Sequence, residues 1–248
     1  MSFEVQDSAA KSVRLQKAIL LYSSDGGSLS YATIHPVDQD SSGSAPVIRA
    51  GRPADQASLK AVCSSLIESA RIRSGLLSDN ILSIGLEHVV WWSRPGMRTH
   101  FFNCREVEGT VSVGNRSGKA PTPGMIFVAR GQTLWAYAIK GDARPTLDTP
   151  LYHAPLMNVW NDGKVCVGSM PLPDATLTES VAKWEQSFWE SNFSHPNHPK
   201  PLTYKGGIHA FSLALLDGKF KDKFPERVLR PHKGETLGTL IDQFDGIR

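Results

Sequence analysis

A chain of 248 residues, 40% hydrophobic and 21% charged, has the composition of a globular protein with room for a sizeable core. Its net charge of +3 comes from 27 Lys and Arg scattered among 24 Asp and Glu, which gives no case for a dedicated nucleic-acid surface. It has no run of about 18 apolar residues and no secretory pattern in MSFEVQDSAAKSVRLQ; three well-separated cysteines, Cys63, Cys104 and Cys166, point to a reducing, cytoplasmic setting without membrane spans or a disulfide framework.

Lys17 to Pro36 reads as two strands about a tight turn. KAILLY and LSYATIHP are apolar or β-branched, and Ser24-Asp25-Gly26-Gly27 supplies positions that accept positive φ. Asp38 to Pro46, DQDSSGSAP, is rich in Gly and Ser and marks the best boundary in the chain. Ala57, Leu59, Val62, Leu66, Ile67, Ala70 and Ile72 have mostly helical spacing, which predicts a helix over Ala54 to Arg73 begun at Pro53 or Asp55. Cys63 falls inside it, as a small buried hydrophobe.

A β-rich run follows. ILSIGLEHVVWW (Ile81 to Trp92) and RTHFFNC (Arg98 to Cys104) flank the turn signal Ser93-Arg94-Pro95-Gly96. Gly109 to Gly114 is a short strand, and MIFVA and TLWAYAIK form a hairpin about Arg130-Gly131-Gln132. The expectation is an antiparallel meander, with Cys104 used for packing.

Gly141 to Pro155 carries three prolines and predicts an ordered, irregular connection. It leads into Tyr152 to Met170, YHAPLMNVWNDGKVCVGSM, where a short polar loop (Asn161, Asp162, Gly163) precedes Val165-Cys166-Val167-Gly168. Thr178 to Asn192 predicts a helix with Thr178 as a cap and Val181, Trp184, Phe188 and Trp189 on one side. Ser194 to Pro201 is a Pro-rich break, Gly206 to Leu216 a weaker segment, Lys219 to Gly234 a basic tail, and Thr236 to Phe244 a last short helix. The pattern is α+β. Three regions are expected: residues 1–46, a hairpin and linker; 47–193, the core; and 194–248, a C-terminal extension.

Seven residues separate Asn158 from Cys166, and Gly163 lies three before the cysteine. This arrangement resembles the active-site signature of ubiquitin-conjugating enzymes, in which His-Pro-Asn leads to the cysteine with the same Asn and Gly spacing. LWAYAIK, PTLDTPLYHAPLMNVW and DGKVCVGSMPLP are further similar to the bacterial branch of that superfamily called PRTRC system protein B. The close likeness covers roughly the central fifth of the chain and the likeness of fold about residues 54 to 192. It implies a UBC-like core of helix, meander sheet, active-site loop and following helix. The family's His-Pro is Leu156-Met157 here, with His153 and Pro155 slightly upstream to take over structural work. A literal His-Pro-Asn occurs at His195 to Asn197, 29 residues after the cysteine, and is read as a decoy in a surface loop.

The resemblance implies a thioester carrier. A ThiF-type activating enzyme would load a small ubiquitin-like protein onto Cys166, and an amine would accept it; a JAB-type metallopeptidase is a further implied partner, and no cofactor is expected. A modest thiol suits a thioester that must persist. Asn158 either donates to the oxyanion, an effect of about 3 kcal/mol elsewhere, or holds the loop. Asp162 is a candidate for drawing a proton from the amine, on proximity alone. The plainer readings are a core cysteine between two valines, a structural His153, packing tryptophans (Trp91, Trp92, Trp135, Trp160, Trp184 and Trp189), and solvated His195 and His198 without enough partners for a metal. Two other functions stay open: a noncatalytic UBC-like scaffold, and an unrelated thiol hydrolase, for which His153 is the candidate base.

Overall fold

The computed structural model describes residues 15–24, 29–38, 46–60, 62, 77–85, 87–106, 108–173 and 178–246. The chain divides into two compact units, Met1–Gly75 and Leu76–Arg248. In the first, β1 (Lys17–Ser23) and β2 (Leu29–Asp38) pair antiparallel, as the alternation of β-formers predicts, with the Tyr22 and Tyr31 rings stacked at 4.3 Å. The short strands β3 (Val47–Ile48) and β4 (Arg52–Pro53) add to β2. A helix starts at residue 56, and Asp55 rather than Pro53 caps it: its Oδ1 accepts from Ser58 N at 2.7 Å. Bonds from the Ser58 side chain and backbone, then Arg52, hold the Asp55 carboxyl down to about 2. The Asp25-Gly26-Gly27 turn, and the predicted helix at residue 61 and beyond residue 62, with Cys63, lie outside the described residues.

The second unit is a mixed α+β fold with mostly antiparallel sheets. Its six-stranded sheet contains β5 (Ile81–Ile84), β6 (His88–Ser93), β9 (Gly124–Arg130), β10 (Thr133–Ile139), β11 (Pro150–His153) and β13 (Pro231–Thr236). They run in the order β13-β11-β10-β9-β6-β5. A three-stranded sheet has β7 (Gly96–Asn103) between β8 (Asn115–Thr122) and β12 (Asn192–Phe193). The helices are α1 (Val181–Trp189), α2 (Gly207–Leu216) and α3 (Leu237–Phe244). Among the described residues no helix is long and apolar enough to cross a membrane.

Both faces of the central strands are buried, which is why β6 and β9 read as continuous apolar runs rather than alternating ones. Val89, Trp91, Phe127 and Ala129 pack on one side with Trp184 and Phe188 of α1 and Phe211 of α2. Val90, Trp92, Ile126 and Val128 pack on the other with Leu237 and Leu240 of α3. Phe127 stacks on Trp91 at 5.4 Å and meets Phe188 edge-on at 5.1 Å, a geometry worth about 0.5–1.5 kcal/mol per pair beyond area burial.

Four expectations change in detail. The run Ile81 to Trp92 is two strands, β5 and β6, folded back on each other. The turn after Ser93 does not close a hairpin: it carries the chain into the second sheet, where β7 pairs with β8. Gly109 to Gly114 is not a strand; the strand is the polar Asn115–Thr122, an edge strand where Pro121 is tolerated. α1 begins after a 3-10 turn, Thr178–Ser180, with Ser180 rather than Thr178 at its cap position.

Candidate functional site

The loop after β11 is pinned to β10 by backbone bonds. Ala136 N donates to Gly163 O at 2.8 Å, and Val165 N to Leu134 O at 2.8 Å. Across the loop Trp160 N bonds Lys164 O at 2.8 Å, and Val159 and Val165 form a β-bridge. Cys166 N then donates to Asn158 O at 2.7 Å, so cysteine and asparagine are backbone neighbours despite the seven residues between them. Gly163 allows this closure: its φ is +84°, and a Cβ there would lie 2.3 Å from the Tyr137 ring. Tyr137 Oη reaches past it to Asp162 O at 2.7 Å. Burial, then Asp162 and Glu235, raises the Tyr137 hydroxyl's pKa, which keeps it a donor.

Cys166 is half-buried and lines a cavity of about 290 Å³ with Asn158. Asn158 is 7% exposed, and its Oδ1 is buried without a hydrogen-bond partner. Leu156 and Met157, which stand where the resembled signature has His-Pro, are buried core residues; Met157 Sδ meets Cys104 Sγ at 3.5 Å. Cys104 is the packing cysteine expected, its thiol pushed up by burial.

The remaining predicted residues stand outside the cavity wall. Asp162 is exposed, and its Oδ1 accepts from Lys164 N at 3.0 Å, shaping the turn. His153 is buried with its ring 4.5 Å from that of His198 and 4.7 Å from that of His232. Burial first, then His232, His198, Arg230 and Lys233, lowers His153 to about 4, which makes it a neutral packing imidazole. His232 Nε2 bonds Asn161 O at 3.1 Å, which ties this cluster to the cysteine loop. Among the described residues no group of three or more His, Cys, Asp or Glu is arranged to hold a metal ion.

Sequence reading misplaced the stretch after α1. His195 and Asn197 line the same cavity as Cys166 and Asn158, with Asn103, Ser191 and Ser194. Asn197 N bonds Met157 O at 2.8 Å, which draws the two segments together. Asn197 Nδ2, like Asn158 Oδ1, is buried without a partner. His195 is exposed as expected, but His198 is buried against His153 rather than solvated. The literal His-Pro-Asn was the available signal; its position after the cysteine hid its relevance.

No curated protein and no solved structure gives a match to this chain. Residues 58–232 match the family model for prokaryotic E2 family D. That span covers more than half of the sequence, and the chain belongs to prokaryotic E2 family D.

Proposed function

We propose that this E2-like protein carries a small ubiquitin-like protein as a thioester on Cys166 and passes it to an amine. On this reading the chain is a UBC-like protein of the PRTRC system protein B type. A ThiF-type activating enzyme supplies the activated acyl group, and a JAB-type metallopeptidase acts on the same modifier. The observation that carries the reading is the half-buried Cys166 in a cavity with Asn158, whose buried Oδ1 has no hydrogen-bond partner, on a loop fixed by Gly163.

The chemistry follows from that arrangement. The thiolate is the nucleophile in loading and the leaving group in transfer. The tetrahedral state forms in the cavity that Asn158 lines with the cysteine, where one oriented amide donor is worth about 3 kcal/mol. The thiol-hydrolase alternative loses its expected base, because His153 packs against His198 and His232 and does not line the cavity.

The test is incubation with a ThiF-type activating enzyme, ATP and the ubiquitin-like protein, followed by non-reducing gels. The expected product is an ATP-dependent adduct cleaved by dithiothreitol and absent from Cys166→Ala. A wild-type protein that stays unmodified would favour the noncatalytic scaffold, and an adduct persisting in Cys166→Ala would place the linkage elsewhere.

A further inference from the structure

The cysteine cavity has a second wall that the thioester reading leaves unused. It is built from the segment after α1 and contributes His195 and Asn197. Asn197 Nδ2 is a buried donor with no partner, a state that costs about 1–3 kcal/mol unless something supplies an acceptor. Opposite in character is Asn158 Oδ1, an unpartnered acceptor on a residue more than nine-tenths buried that lines the same cavity. The χ2 torsion of asparagine is broad and soft, so either amide can reorient when a substrate enters. His195 is exposed at the rim, and Ser194 Oγ holds its Nδ1 at 3.0 Å. In the tautomer that donates Nδ1–H to the serine, Nε2 keeps its lone pair.

We propose that the His195–Asn197 segment completes the cysteine site: Asn197 Nδ2 donates to the oxygen of the tetrahedral intermediate, and His195 takes the proton from the attacking amine. The proposal rests on Cys166 carrying a thioester. The amine nitrogen attacks the thioester carbon, and the carbonyl π pair moves onto oxygen, where the Asn197 amide meets it. His195 Nε2 accepts a proton from nitrogen. Collapse breaks the C–S bond, the amide stays with the acceptor, and the Cys166 thiolate recovers the proton from the imidazolium. Asn158 Oδ1 is left to accept the remaining N–H of the nucleophile. The two asparagines thus divide a donor and an acceptor role instead of duplicating one.

The experiment uses the full chain and a synthetic acetylglycine thioester of mercaptoethanesulfonate. Intact mass follows acylation of Cys166 and its discharge into lysine or water. Asn197→Ala and the near-isosteric Asn197→Asp should slow discharge into both nucleophiles by about 10²–10³-fold, the loss seen when an oxyanion donor is removed. Iodoacetamide alkylation of the free thiol should be unchanged in both. His195→Ala should slow discharge into lysine, and added imidazole should restore it. Wild-type discharge rates in both Asn197 variants would overturn the donor role, and so would a parallel loss of thiol alkylation, which marks a structural residue. A His195→Ala defect that imidazole does not rescue would overturn the base role. If the wild-type thiol never acquires the acyl group, the thioester reading itself fails along with the proposal; that failure is separate from equal discharge by loaded variants.

Discussion

At Gly163 two constraints coincide, a φ of +84° and a Cβ position 2.3 Å from the Tyr137 ring. Gly163→Ala must bend the backbone or displace the ring, and either strain or overpacking costs about 1–3 kcal/mol. Urea unfolding of that variant should show the loss, with a changed alkylation rate at Cys166, because the same loop sets the cysteine; an unchanged rate would separate the glycine from the site. His153 makes a pH-dependent contribution. Its folded value, lowered from 6.5 to about 4, means the unfolded chain binds more protons between those limits. Stability is therefore full above about 6.5 and falls as pH drops toward 4. Buried His100, also lowered to about 4 by burial and then Arg98, adds the same sign. Unfolding midpoints at several pH values should show that fall, and His153→Phe with His100→Phe should flatten it. Asn158, Gly163 and Cys166 were legible in the sequence because their spacing is local. The approach of Asn197 was not, since it depends on a tertiary bond to Met157 O.

Among the elements, the β9–β10 hairpin and the buried side of α1 were readable from composition and spacing. Val181, Trp184, Phe188 and Trp189 are all buried as their helical spacing required. The partnership of β7 with β8 was not readable, because β8 is polar and owes its strand conformation to one neighbour at an exposed sheet edge. α3 illustrates a local device with a measurable effect. Thr236 Oγ1 accepts from Thr239 N at 3.3 Å, Thr239 Oγ1 accepts from Thr236 N at 2.9 Å, and Leu237 and Leu240 seal one face of the six-stranded sheet. Thr236→Ala should cost about 1 kcal/mol in urea unfolding, the usual loss for a helix cap. A neutral result would mean that sheet contacts alone hold α3.

For the whole molecule, the residues after Phe193 matter to the core as well as to the cysteine cavity. Leu202, Ile208, Phe211, Leu215, Phe224, Val228 and Leu229 share the core that contains Trp91 and Phe127, and β13 pairs with β11 beside the cysteine loop. A chain ended at Phe193 should lack cooperative thermal unfolding, because burying each such Leu, Ile, Val or Phe contributes about 1.5–3 kcal/mol. An intact melt would show that the preceding residues hold the core by themselves. Sequence alone gave the α+β class but not this closure, since the polar run before Thr236 conceals β13. The thioester account stands most directly on the linkage formed at position 166. Mass spectrometry after incubation with the activating enzyme, ATP and the ubiquitin-like protein should place the modifier on Cys166 in a dithiothreitol-labile bond, and Cys166→Ser should hold it as a dithiothreitol-resistant, alkali-labile ester. A modifier mapped to any lysine of this chain in both proteins, with position 166 unmodified, would contradict the account.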